Sequence, residues 1–496
     1  MLFCKLVNIT LGSRIHGADG SARPCSATVQ SCANVLNAVR EHGQQHPCSG
    51  TMLPAGVTKS SLIESSGVTL RFSNFVKLTG SKLRFRKAHN HLRCQVCLSL
   101  ADIIRRKTGN TREEAVQLRK SHFASVLKER LALETADQLS RAVPAELLVL
   151  RIDGMGKHST KLPAMIQRPK SIGDVSRQNI DVYGVQLSRL GEDGHKFFNV
   201  AMLNIFEAYN GGSQQACSYI LHCLNEGEVI PRRIYILADN AAMMKSKVMH
   251  AFYGWLILQL AIDEITAVHL PVGHTHCEVD AFFGSIVKRL RRRNALTPHE
   301  LAAIITSIGN TLAIAMPTQY DFSILAEDTV EYSNRSKQRY FRFFKKDGEI
   351  RFTFDSVIPA EFMMPTEEAE ARVSLPLFKS GSEQAVRDLL PPQLFPDVGK
   401  SEAAADMLLK VCSSYLNDEQ RREIAQIPTQ LSNTRLVPLS ELLEEVSSKC
   451  CQNHHNALPP DADDVHAFIK SMGYKASAPY AKMAPLRAVS ERDDEM

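Results

Sequence analysis

Apolar and polar residues change period several times along the chain, and each change marks an element. From Leu147 to Ile152 every residue is apolar except Arg151, which predicts a strand closing at Asp153. Asp181 to Leu187 and Phe197 to Ile205 predict a hairpin, with Gly191-Glu192-Asp193-Gly194 as its turn. A helix is expected from about Ser213 to Asn225, then a strand over Ile234 to Ala238. Asn240 is a candidate N-cap for a helix from Ala241 to about Ile262, because its side chain can accept an orphan amide. A strand over Ile265 to Val272 follows. Then comes a helix from about His276 to Arg293, whose apolar face is Val279, Phe282, Phe283, Ile286, Val287 and Leu290. Three successive strands, followed by helix, strand, helix, strand, helix, predict a mixed sheet with an antiparallel hairpin and parallel crossovers.

The flanks read differently. Residues 1–60 are rich in Ser, Gly and Ala with weak periodicity, and poor order is expected there. Residues 61–142 form a mainly helical region after short strands such as Val68 to Phe72. Its helices are expected over Ala101 to Lys107 and Thr111 to Arg141, with Thr111 and Glu114 at capping-box spacing. The alternating core spans 145–325. Residues 326–365 carry a hairpin of Tyr340 to Phe344 and Ile350 to Phe354 about Gly348. Residues 366–496 read as a mainly helical tail with proline linkers.

Composition narrows the class. With 496 residues and 44% hydrophobic content, a sizeable core is available. Met1 to Val7 turns polar too soon for a secretory signal, and the longest apolar stretch, Ala251 to Ile262, is too short to span a bilayer. Twelve cysteines without a repeating framework read as reduced thiols, which predicts a nuclear or cytoplasmic protein with no membrane partner. The net charge of +6 is mild, but its distribution is uneven. Lys288, Arg289, Arg291, Arg292 and Arg293 form one cluster, and Lys82, Arg84, Arg86 and Lys87 another. The loop after Asp153 adds Lys157, Lys161, Arg168, Lys170 and Arg177. Clustered cations suit a phosphate backbone, although a solvated helix face looks the same in sequence.

Three acids carry the candidate chemistry. Asp153 and Asp239 each end an apolar run, and the predicted strand order puts both on one edge of the sheet. The third is Asp280 or Glu278. Thr275 and Glu278 have capping-box spacing, which gives Glu278 a structural role and favours Asp280. Taken singly, each acid is explained by a turn or a cap. Together they can converge on divalent metal. His274 and His276 point the same way if the strand continues, and can act as acid, base or metal ligand, or merely orient Asp280. Upstream, Cys94-x-x-Cys97 has zinc-knuckle spacing, with His122, His89 and His91 as further ligand candidates; two buried thiols at a helix start is the alternative.

These strings resemble a known group. Asp153-Gly154-Met155, Asp239-Asn240 with Lys245 and Lys247, and Gly273-His274-Thr275-His276 with Asp280, Phe283 and Gly284 look like an uncharacterised, transposon-derived eukaryotic family. Its core is similar to those of integrases and cut-and-paste transposases. The resemblance covers about 145–320 and extends weakly upstream to the Cys94-x-x-Cys97 region. It implies an α/β fold, namely a ribonuclease H-like mixed sheet flanked by helices, with an N-terminal helical, candidate zinc-binding region and a mainly helical C-terminal extension. It also implies Mg2+ or Mn2+ on Asp153, Asp239 and Asp280, and DNA as partner, with a homo-oligomer compatible. Lys157, Lys161, Lys245 and the Lys288–Arg293 cluster would hold the strand. Attack on phosphorus would run in line between two metals about 4 Å apart. The chain departs from the pattern at Val248, where Asn is usual, and at Cys277, where an acid is expected. An inactive, domesticated copy and a DNA- or chromatin-binding protein without catalysis are both compatible. So is a zinc hydrolase built on His274 and His276, although Glu278 and Val279 stand where that class often has Asp and His.

Overall fold

The computed structural model describes residues 44–46, 50–53, 84–85, 94–189, 197–269, 278–332, 335–356, 374–433 and 436–450. The chain divides into two units, one of residues 1–91 with 477–496 and one of residues 92–476. In the first, β1 (Gln44–His46) pairs antiparallel with β2 (Gly50–Leu53), which pairs in parallel with β3 (Arg84–Phe85). The expected strand at Val68 to Phe72 lies outside the described residues, as do Lys82, Arg86 and Lys87.

The second unit opens with α1 (Gln95–Arg106) and α2 (Gly109–Ala142). Thr108, in extended conformation, is the N-cap of α2, so Thr111 lies inside the helix and the expected capping box with Glu114 does not start it. A mixed nine-stranded sheet follows, built from β4 (Leu147–Gly154), β5 (Ile180–Ser188), β6 (Phe197–Ile205), β7 (Arg233–Ala238), β8 (Glu264–His269), β9 (Thr311–Ala315), β11 (Tyr340–Lys346), β12 (Glu349–Asp355) and β13 (Leu375–Pro376). Its order is β13-β12-β11-β8-β7-β4-β5-β6-β9. β4, β5 and β6 form an antiparallel meander, while β7 lies parallel to β4 and β8 parallel to β7. A two-stranded ladder of β10 (Gln319–Tyr320) and β14 (Gln393–Leu394) stands apart.

The strands at the centre are apolar on both sides because helices cover both faces. Leu148, Leu150 and Ile152 of β4 join the large core with α3 (Ser213–Asn225) and α4 (Lys247–Gln259). The alternate residues, Leu147 and Val149, meet Leu133, Ala136 and Leu139 of α2 on the opposite face. That second face continues under α5 (Glu278–Leu290) and α6 (Pro298–Thr306), through Val279, Phe282, Phe283, Ile286, Leu301 and Ile305. The 3.6-residue spacing of the α5 apolar set fixes which side of that helix meets the sheet.

Three local expectations change. A 3-10 turn at Ala242–Lys245 interrupts the long helix expected from Ala241, and α4 starts only at Lys247. Its cap is Ser246, whose hydroxyl accepts the Met249 amide, and not Asn240. The hairpin of β11 and β12 is no separate extension: β11 pairs antiparallel with β8 from Tyr340↔Val268 to Phe344↔Glu264. Asp347 and Gly348, both at positive φ, make its two-residue turn, the handedness that matches twisted strands. The tail helices α7 (Glu383–Asp388), α8 (Val398–Cys412), α9 (Asp418–Asn433) and α10 (Leu439–Ser448) also enter the core, α10 through Leu439, Leu442 and Val446.

Candidate functional site

Asp153 and Asp239 emerge side by side. Ile152 of β4 pairs in parallel register with Ala238 of β7, and each acid is the next residue of its strand. Neighbouring strands run about 4.8 Å apart, so the two backbones deliver adjacent carboxylates to one end of the sheet. Strand alternation carries Asp153 to the face that bears Arg151, the α2 and α5 face. Asp153 Oδ1 accepts the Gly154 amide at 2.8 Å, and Asp239 Oδ1 accepts the Ala241 amide at 3.1 Å. Burial pushes the Asp239 carboxyl above its ordinary range, opposed by the Ala241 amide and by Lys245.

α5 brings Asp280 to the same region through three interactions. Glu278 lies 3.3 Å from Arg151 Nε, and its backbone carbonyl accepts Gln186 Nε2 at 3.4 Å. Val279 and Phe283 press on Gly184, where an added Cβ would stand 2.7 Å from Phe283 Cε1 and 3.1 Å from Val279 Cγ1. Gly184 is the cross-strand partner of Asp153. Asp280 therefore follows directly on a residue packed against Asp153's neighbour, and α5 can approach so closely because position 184 has no side chain. Glu278 is spent on Arg151; Thr275, its expected capping partner, lies outside the described residues, as do His274, His276 and Cys277.

The three acids are not drawn into one tight cluster. Among the described residues, the group of three potential ligands whose donor atoms all lie within 4.8 Å of one another is Cys94, Cys97 and His122. Those three can hold a metal such as zinc. Burial, and then the neighbouring Cys94, push the Cys97 thiol up to about 12. His89 and His91 lie outside the described residues.

The cations divide into two kinds. Lys245 is buried at 3% exposure and donates its ammonium to the carbonyls of Ser336 at 3.1 Å and Gln338 at 2.5 Å, so it is not presented to a strand of DNA as the sequence suggested. Burial, with Arg339 nearby, holds it down to about 8. Lys157 spans Asp181, at 3.1 Å, and Glu207. Lys161 donates to the Asp174 carbonyl at 3.4 Å. Lys288, Arg289, Arg291, Arg292 and Arg293 are all exposed at the far end of α5, and none forms a side-chain ion pair among the described residues.

Residues 183–357 match a family model described as Domain of unknown function (DUF7869). The match starts within β5 and ends just beyond β12, so it carries Asp239 and Asp280 and leaves β4, with Asp153, outside. No curated protein matches the chain, and no solved structure does. Among the described residues no helix is long and apolar enough to cross a membrane.

Several residues around the acids escaped the sequence pattern. Arg151 is 3% exposed and is held by Asp137 of α2, by Glu278 and by the ring of Phe197, 5.2 Å from its guanidinium carbon. A lone arginine in an apolar run was the available signal. His269 ends β8 and, with Nδ1 2.9 Å from the Asp239 carbonyl, must donate from that nitrogen. Tyr183 lies on the opposite face, against Tyr219, and burial raises its hydroxyl to about 12, with the charges of Asp181, Asp239 and Asp153 adding to the effect.

Proposed function

We propose that this chain is a transposase-like protein whose core performs divalent-metal-dependent cleavage or strand transfer on DNA. The observation that carries the reading is the pairing of Ile152 with Ala238, which delivers Asp153 and Asp239 from adjacent parallel strands. The strand order β6-β5-β4-β7-β8, an antiparallel meander followed by two parallel crossovers, is the order expected of a ribonuclease H-like core and supports the same reading. Mg2+ or Mn2+, held by Asp153, Asp239 and Asp280, would supply Lewis-acid stabilisation of the phosphodiester. The protein's own part is to orient the acids, through Gly154, Ala241 and the docking of α5. The exposed cations at the other end of α5 would track the phosphates.

The test is nicking of supercoiled plasmid by the purified full chain with Mn2+. Wild-type protein is expected to convert it to the open circle, and Asp153→Ala to leave it closed. Nicking that survives the substitution removes Asp153 from the chemistry and sinks the proposal.

A second reading, DNA binding without cleavage, is favoured by one observation. The three acids do not form a group with all donor atoms within 4.8 Å. On that reading wild-type protein shifts the plasmid in a gel and leaves it intact.

A further inference from the structure

Cys94 stands just before α1, Cys97 lies in its first turn, and His122 lies on α2, the helix α1 packs against. Cys94 Sγ is 3.4 Å from His122 Nε2, and the three donor atoms are mutually within 4.8 Å. In a tetrahedral zinc site, with Zn–S about 2.3 Å and Zn–N about 2.0–2.1 Å, a bound sulfur and nitrogen stand about 3.5 Å apart. The Cys94–His122 pair is thus already spaced as one edge of such a site. We propose that Cys94, Cys97 and His122 hold one structural Zn2+ that clasps α1 onto α2. The proposal is independent of the carboxylates at the end of the sheet.

The packing of α1 supplies the second argument. This helix has 12 residues and buries one of them, Leu100, while Val96 and Leu98 are 48% and 39% exposed. A helix of this length is marginal on its own in water, and one buried leucine supplies little apolar burial to hold it in place. Cys94, as N-cap, makes no side-chain capping bond, so its sulfur is not committed to the helix end. Two thiols and an imidazole form a soft donor set that selects zinc over Mg2+ or Mn2+. On binding, both thiols release their protons to solvent, the neutral imidazole donates its lone pair, and a fourth donor closes the tetrahedron. The metal would thereby tie residues 94 and 97 to 122, closing the α1–α2 hairpin at the end opposite its turn.

The full chain, purified under reducing conditions without chelator, tests this by elemental analysis. About one zinc per chain is expected, as one tetrahedral site requires. The zinc should be lost in Cys94→Ser, Cys97→Ser and His122→Ala. Co2+ exchanged into wild-type protein should show thiolate-to-cobalt charge-transfer absorption, a readout that needs no variant to fold. Hydrogen exchange reads the clasp: after zinc removal, amides of α1 should lose protection while those of β4 and β7 keep theirs. The assignment is overturned by wild-type protein with reactive thiols that takes up neither zinc nor cobalt, or by stoichiometric zinc that survives Cys94→Ser with Cys97→Ser. Unchanged protection of α1 after metal removal overturns the clasp.

Discussion

Gly184 stands directly opposite Asp153 in the β4–β5 ladder, and it is the residue on which Phe283 of α5 rests. One small residue thus links the acid at the end of β4 to the helix that carries Asp280. Gly184→Val would place atoms within 3.1 Å of both Phe283 and Val279 and push α5 away from the sheet. Overpacking of this kind costs about 1–3 kcal/mol. A lower urea midpoint is expected, and nicking should fall further than the lost stability explains. An unchanged midpoint would mean that α5 is not seated on Gly184.

Arg151 ties α2 and α5 to β4 from inside the core. Removing one member of a buried ion pair strands the others, at a cost of about 3–5 kcal/mol. Arg151→Met should therefore destabilise strongly. Asp137→Leu combined with Arg151→Met should recover much of the loss, since Glu278 is the half-exposed partner. Denaturation of the two variants side by side checks this.

Stability should fall with acid for a defined reason. Burial holds His269 down to about 4 and His250 below its usual 6.5, and His250 Nδ1 is engaged with the Tyr332 hydroxyl at 2.6 Å. The unfolded chain binds protons at these imidazoles near pH 6.5, whereas folded His269 does not until about pH 4. Both folded values are depressed, so falling pH favours unfolding between these limits. The slope is at most about 1.4 kcal/mol per pH unit for each histidine. Urea midpoints at pH 7.5 and pH 5, about one unit above and between these limits, should differ. His250→Met with Tyr332→Phe, which removes the imidazole and its hydroxyl partner together, should reduce the difference.

The α5 cations and Lys245 make opposite predictions. Neutralising Lys288, Arg291 and Arg292 should weaken DNA binding and flatten its salt dependence, by about 0.9 in log–log slope for each phosphate that the variant ceases to neutralise. Lys245→Met should leave that slope unchanged, because its ammonium is committed to the Ser336 and Gln338 carbonyls.

Much of the core was legible in the sequence because both-face burial writes itself as unbroken apolar runs. Leu147 to Ile152 and Ile234 to Ala238 are read directly, and so is the apolar stripe of α5. What failed depended on distant partners or on a competing local bond. Nothing local in Tyr340 to Phe344 says that it pairs with β8, some seventy residues earlier. Asn240 looks like a good cap, yet Asp239 takes the Ala241 amide and Ser246, beyond the intervening 3-10 turn, caps the helix. Lys245 reads as a surface cation because its carbonyl partners lie more than ninety residues away. For the candidate site, the adjacency of Asp153 and Asp239 followed from strand order, whereas the Arg151–Glu278 ion pair that seats α5 did not.

The most direct test of the acidic site is Mn2+ binding to the purified full chain, measured by titration calorimetry in wild type, Asp153→Asn and Asp239→Asn. Mn2+ binding is expected in wild type and is expected to be lost in both variants, with their urea midpoints close to that of wild type. Equal Mn2+ binding by all three proteins, or none by wild type in the presence of DNA, would contradict it.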